Sequence, residues 1–235
     1  MSKLKTVGLI LGIFIAYFWL GIILSLYFGP VYGQLFANSL MILAGSFLVV
    51  DRRVKIGVKN SINITIICLL IIIGILYISS YLYEVVRDSA FQSYSQQLGK
   101  MDTSTMVLFA VFFAPFAEEF LFRGVVFGYL RKIKIPFAIS ALISALVFTL
   151  MHGTLIHIVP AFIMATFLCI VYEYTHNIFY CVCFHSLYNT MAILLGNIVP
   201  QYNFISVLAV FLLVITVLYT SYEEFVVKRS EAIYR

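Results

Sequence analysis

Long apolar runs separated by short polar turns recur along the chain, at approximately Val7–Tyr27, Tyr32–Val50, Ile62–Tyr83, Thr105–Leu130, Ile135–Met151, Leu155–Tyr172, Ile178–Leu195 and Phe204–Tyr222. Runs of about 17–25 residues match what a helix needs to cross a ~30 Å hydrocarbon core. The pattern predicts an all-α fold, a polytopic membrane protein built as a bundle of about eight transmembrane helices. The longest polar connection, Glu84 to Ser104, is too short for a soluble domain. With no internal repeat or linker, residues 1–235 are expected to form a single membrane domain.

Composition agrees. The chain is 63% hydrophobic and 11% charged, with a mean hydropathy of +1.06, outside the range of soluble globular domains. Lys3 and Lys5 before the first run mimic a signal peptide, but the run is too long and lacks a small-residue cleavage site, so a retained span is expected. If eight spans alternate, Lys3, Lys5, Arg52, Arg53, Lys55, Lys59, Arg131, Lys132, Lys134, Lys228, Arg229 and Arg235 share one side, and only Arg87 and Lys100 take the other. That bias places both termini in the cytoplasm. The formal charge of +5 therefore reads as topology and contact with anionic lipid, with no nucleic-acid partner. Cys68, Cys169, Cys181 and Cys183 all fall in apolar runs and imply no disulfide framework. Cys181 and Cys183, two apart on a helix, point about 200° from each other and cannot chelate one ion, so small buried hydrophobes are expected.

Against this background Glu118-Glu119-Phe120-Leu121-Phe122-Arg123 stands out, with three charges inside the fourth run. Each costs roughly 2.5–3.5 kcal/mol at a helix centre, so the cluster calls for a functional explanation. Glu119 and Arg123 lie four apart, about 40° in azimuth, with the acid N-terminal, and can neutralise each other. Glu118 lies about 140° from Arg123 and has no partner on its own helix. A carboxylate buried without a counter-charge suits proton acceptance and return. Pro115, three residues before it, removes a helical hydrogen bond and opens or kinks the helix beside the acids. Gly124 and Gly128 form a small-residue face for packing.

Two further polar sites follow on separate spans. Phe148 and His152 lie four apart at the end of the fifth, and His185 and Asn189 repeat the spacing in the seventh. Hydrolysis of a peptide bond in a membrane needs a sequestered water, a base, oxyanion donors and a proton for the leaving amine. Glu118 and His152 can hold and activate the water, and His185 with Asn189 can donate to the oxyanion. The rival chemistry makes Glu118, His152 and His185 ligands of a zinc ion whose water attacks, although no HExxH motif is present. Other residues carry weaker signals. His157 is expected on a different face from His152, His176 in a solvated turn, and Glu173 at a helix end.

Glu-Glu-x-x-x-Arg at 118–123, Phe-x-x-x-His at 148–152 and His-x-x-x-Asn at 185–189, in that order on successive spans, resemble the motifs of the CPBP family. This is the family of CAAX proteases and bacteriocin-processing enzymes, also called Abi proteins, and it includes the type II CAAX prenyl endopeptidases. The resemblance covers 105–195, the expected catalytic core. It implies an eight-helix intramembrane endopeptidase in which Glu118 and His152 activate water, His185 and Asn189 form the oxyanion site, and Glu119, Arg123 and Phe148 support them. The family was first described as metalloproteases, while its better-studied members resemble glutamate-dependent proteases, which implies no required cofactor, with zinc as the alternative.

The partners expected are the lipid bilayer and a peptide or small membrane-protein substrate. Reduced cysteines and basic inner loops suggest a bacterial plasma membrane, where the resemblance points to processing of bacteriocin or quorum-sensing peptides, or to self-immunity. Two other classes compete. A non-catalytic regulator or immunity protein that binds a peptide or sensor kinase makes no demand for all four polar residues together, and a proton-coupled transporter is disfavoured by the lack of repeats.

Overall fold

Apolar runs become helices wherever the chain is described, because in hydrocarbon a backbone must satisfy its own hydrogen bonds. A computed structural model describes residues 3–48, 58–86, 102–152 and 155–195. The helices are α1 (Lys3–Phe28), α2 (Pro30–Leu48), α3 (Val58–Val85), α4 (103–132), α5 (Phe137–Leu150), α6 (Leu155–Thr175) and α7 (Ile178–Leu195). No strand occurs among the described residues. α1, α2, α6 and the central parts of α3 and α4 are long and apolar enough to cross a membrane, while α5 and α7 are shorter apolar helices. The predicted run Phe204–Tyr222 lies outside the described residues.

The chain divides into two units. One holds Met1–Lys55 and Asp88–Ile198, hence α1, α2 and α4–α7; the other holds Ile56–Arg87 and Val199–Arg235, of which α3 is described. On α3, Cys68, Ile71, Ile72 and Ile75 are buried at the spacing of a single helix face.

In the first unit every other helix contacts α4. Its stretch from Phe120 to Gly128 is buried at every position, so that stretch has no open face on which a charge could rest. Asp102 caps its start, the carboxylate accepting the Thr105 N–H at 2.9 Å. The adjacent α5 follows membrane logic. Ser140, Ala141, Ser144, Ala145 and Phe148 face inward, while Ile139, Leu142, Ile143 and Leu146 face out. Small residues inside allow close helix approach, and large apolar ones suit lipid.

Glycines set the spacing of α1 and α2. Gly29 turns the chain between them at φ +79°, a conformation glycine adopts freely. A Cβ on Gly33 would run into the Ser25 backbone of α1, and one on Gly45 would lie 2.6 Å from the ring of Phe120. Gly45 therefore seats α2 directly against the residue that follows Glu119. Gly45→Val is expected to lower stability by about 1–3 kcal/mol, the usual cost of overpacking. Unfolding in detergent with SDS checks this, and an unchanged midpoint would contradict the contact.

Candidate active site

The backbone of α4 changes register twice around the two glutamates. Leu108–Phe113 and Phe120–Phe127 are π-helical, with the α-helical turn Ala114–Glu119 between them. Pro115 explains one consequence of the first stretch. The Ala114 N–H bonds to Phe109 O, five residues back. The next bond in that register would run from residue 115 to Ala110 O, but proline has no N–H to give. Asn189 of α7 supplies it instead, its Nδ2 donating to Ala110 O at 2.7 Å. In the second stretch Ser144 Oγ of α5 donates to Phe122 O at 3.1 Å. Side chains of neighbouring helices thus bond carbonyls in both π segments, which are common devices at functional sites.

Glu119 and Arg123 form the predicted ion pair, Nη1 to Oε1 at 2.9 Å, with both side chains fully buried. The pair reaches beyond its own helix. His185 Nδ1 lies 2.7 Å from the same Oε1, and the Arg123 guanidinium sits 4.7 Å above the Phe148 ring. Oε1 of Glu119 accepts from Arg123 and meets Nδ1 as a second donor, so Nδ1 carries the proton and Nε2 is the nitrogen that faces away. That Nε2 lies 3.8 Å from Glu118 Oε2. The Glu118 atom is buried and has no hydrogen-bond partner, while the side chain as a whole is 24% exposed, so one oxygen lacks a hydrogen bond on a carboxylate that is reachable.

His152 comes to the site by a different route. It follows the end of α5, and its Nδ1 donates to Phe148 O at 2.9 Å. The Phe148 ring touches both imidazoles, with centroids 4.5 Å from His152 and 5.9 Å from His185. Among the described residues no hydrogen bond or ion pair joins His152 to Glu118, and the imidazole beside Glu118 is that of His185. No three His, Cys, Asp or Glu side chains among the described residues are grouped to hold a metal ion. The set Glu118, His152 and His185 does not fit zinc in this arrangement.

Among the weaker expectations, Glu173 lies at a helix end and His176 in a turn as expected, while His157 departs. His157 lies near His152, with ring centroids 6.4 Å apart, although helical counting separates their faces. α5 ends at Leu150 and α6 starts at Leu155, so the two histidines share no helix and the count does not apply across the turn. Glu173 is paired bidentately with Arg131, at 3.0 Å and 2.5 Å, and fastens the end of α6 to that of α4. His176 adopts φ +47° in the α6–α7 turn, and Asn177 caps α7 by accepting the Phe179 N–H at 3.0 Å. Cys68, Cys169 and Cys181 are buried as expected, but Cys183 is exposed, since two residues further along α7 faces outward.

One polar cluster was not singled out by the motifs. Tyr17 of α1 donates to Asn38 Oδ1 at 2.6 Å, and Gln34 Nε2 donates to the Tyr17 hydroxyl and to Asn38 Oδ1, each at 3.0 Å. The available signal was three hydrogen-bonding side chains in two otherwise apolar spans.

Two outcomes follow from these contacts. Arg123→Met leaves Glu119 buried without its cation and is expected to cost about 3–5 kcal/mol in SDS unfolding. A loss of about 0–1 kcal/mol, the value of an exposed pair, would contradict the geometry. Asn189→Leu orphans Ala110 O at about 1–3 kcal/mol. In a Pro115→Ala background the restored N–H takes that carbonyl, so the same change should cost measurably less; equal costs would argue against the Pro115–Asn189 coupling.

No curated protein and no solved structure matches the chain. Residues 101–191, which carry α4 to most of α7 and all of the site above, match the protein family described as type II CAAX prenyl endopeptidase Rce1-like, the family that the three ordered motifs resemble.

Proposed function

We propose that the protein is an intramembrane endopeptidase that hydrolyses a peptide bond with a carboxylate-activated water. The observation that carries this reading is the unpartnered Glu118 Oε2, 3.8 Å from His185 Nε2. The gap is too long for a direct hydrogen bond and suits one bridging water. Glu118 takes a proton from that water while His185 Nε2 accepts its other O–H and orients it. The water oxygen bonds to the scissile carbonyl carbon, and the C=O pair moves onto oxygen. Asn189, with one N–H committed to Ala110 O, offers the other to the oxyanion. Glu118 then returns its proton to the amide nitrogen, the C–N bond breaks, and a carboxylic acid and an amine leave.

Glu119 acts through His185, holding Nδ1 protonated so that Nε2 stays an acceptor, much as the acid of a hydrolase triad fixes its histidine. Arg123 holds Glu119 in place through the 2.9 Å contact between Nη1 and Oε1. His152, fixed by Phe148 O, borders the site across the Phe148 ring and is the second imidazole available to the water or substrate. A zinc-dependent reaction with Glu118, His152 and His185 as ligands is the alternative, and the response to chelator separates the two. The family match supports a peptide or protein substrate. Within that class we favour bacteriocin or quorum-sensing peptides, or a self-immunity role, in a bacterial plasma membrane with both termini cytoplasmic, as the basic loops indicate.

The test is hydrolysis of a mixed-sequence peptide pool by protein in liposomes, with cleavage read by mass spectrometry. Glu118→Gln should lower the rate by about 10²–10⁴-fold, the range for a general base, and His152→Ala and His185→Gln should each lower it, at equal folded amounts. Chelator should leave wild-type activity intact. Cleavage that survives both Glu118→Gln and His185→Gln would overturn the mechanism, and cleavage abolished by chelator and restored by zinc would favour the metal reading.

A further inference from the structure

A serine or threonine inside a helix commonly turns its hydroxyl back onto the carbonyl four residues before it. Ser39, Ser79, Thr149, Thr175 and Thr190 do so, at 2.7–2.9 Å. Ser144 of α5 does not. It is fully buried, and its Oγ donates instead to Phe122 O of α4 at 3.1 Å. That carbonyl lies within the π stretch Phe120–Phe127, a rare backbone form that is found mostly at functional sites.

The bond falls immediately before Arg123. A peptide unit is planar, so the Phe122 carbonyl and the Arg123 nitrogen move as one. Anchoring Phe122 O therefore fixes the plane from which the Arg123 side chain departs. The far end of that side chain meets α5 as well, since the guanidinium lies 4.7 Å from the centroid of the Phe148 ring. Ser144 and Phe148 are four apart, hence on one face of α5 and about 6 Å apart along its axis, the scale on which an arginine reaches from backbone to guanidinium. The Phe148 ring also meets that of Phe122 edge-on, with centroids 5.1 Å apart. One face of α5 thus grips Arg123 at its backbone and at its head. Ser140, one turn earlier and equally buried, donates at 3.3 Å to Ile135 O in the turn before α5.

We propose that Ser144 is a positioning residue for the hydrolysis: together with Phe148 it clamps Arg123, and through Arg123 and Glu119 it sets the imidazole of His185. The contacts are continuous. Arg123 Nη1 meets Glu119 Oε1 at 2.9 Å, the same oxygen meets His185 Nδ1 at 2.7 Å, and His185 Nε2 stands 3.8 Å from Glu118 Oε2. A turn of the Phe122–Arg123 peptide plane moves the guanidinium, draws Glu119 with it and rotates Nε2 away from Glu118. Ser144 makes and breaks no bond in the reaction; it acts through Arg123. The proposal rests on the endopeptidase reading, and its test separates the two.

The test compares Ser144→Ala with Ser140→Ala, each of which removes one buried hydroxyl from the same face of α5. In liposomes, at equal folded amounts, Ser144→Ala should lower kcat by roughly ten- to a hundredfold, the scale of a small misplacement within a site, with KM nearly unchanged. Ser140→Ala should stay near wild type, and Ser144→Thr, which restores a hydroxyl donor, should recover most of the rate. A second readout needs no substrate. In ¹⁵N solid-state NMR of histidine-labelled protein, the His185 Nδ1 signal should shift or redistribute in Ser144→Ala and hold in Ser140→Ala, a contrast that lost stability alone does not produce. An altered His185 signal in Ser144→Ala, with no cleavage by the wild type, would keep the clamp and sink the endopeptidase reading. An unaltered His185 signal or an unchanged kcat in Ser144→Ala, or equal effects of Ser140→Ala, would overturn the positioning role.

Discussion

A glutamate and an arginine without access to water, Glu119 and Arg123, are the constraint on which the rest of the site depends. Two charges in such a place are tolerable only when each faces the other and the geometry holds. Here the same oxygen of Glu119 meets both Arg123 and His185, and the guanidinium rests on Phe148. One ion pair on α4 therefore fixes the positions of α5 and α7 relative to it. The pair also decides protonation: it makes Nδ1 the donor of His185 and turns Nε2 toward the unpartnered Glu118.

The irregular backbone of α4 is the second element of the design. A π stretch ending at a proline leaves a carbonyl without a donor, which in hydrocarbon must be answered by a side chain. Asn189 answers it at Ala110. Its role in holding α7 against α4 is thus separable from any oxyanion role of its second N–H. The glutamates occupy the short α turn between two π stretches, so neither can be displaced without disturbing a register shift on either side.

Much of this was legible from residue spacing. Seven of the eight apolar runs coincide with described helices, five of them long and apolar enough to cross a membrane, because length and apolar content are what a bilayer demands of a helix. The Glu119–Arg123 pair, and the lack of a partner for Glu118 on its own helix, followed from azimuth alone. Partners across helices were less accessible. That His185 stands beside Glu118, that Asn189 answers Pro115, and that His157 approaches His152 depend on rotation about helix axes and on a turn, neither of which has a sequence period. The Tyr17, Gln34 and Asn38 cluster was hidden for a different reason: scattered polar residues in generic spans have no spacing that distinguishes them.

The central claim is that Glu119 holds the His185 imidazole with its proton on Nδ1. The most direct measurement is ¹⁵N solid-state NMR of histidine-labelled protein in lipid, with His185 assigned from the signals missing in His185→Gln. The account predicts a protonated Nδ1 in the wild type that is retained in Glu118→Gln and lost or redistributed in Glu119→Leu. A His185 with unprotonated Nδ1 in the wild type, or one indifferent to Glu119→Leu, would contradict it.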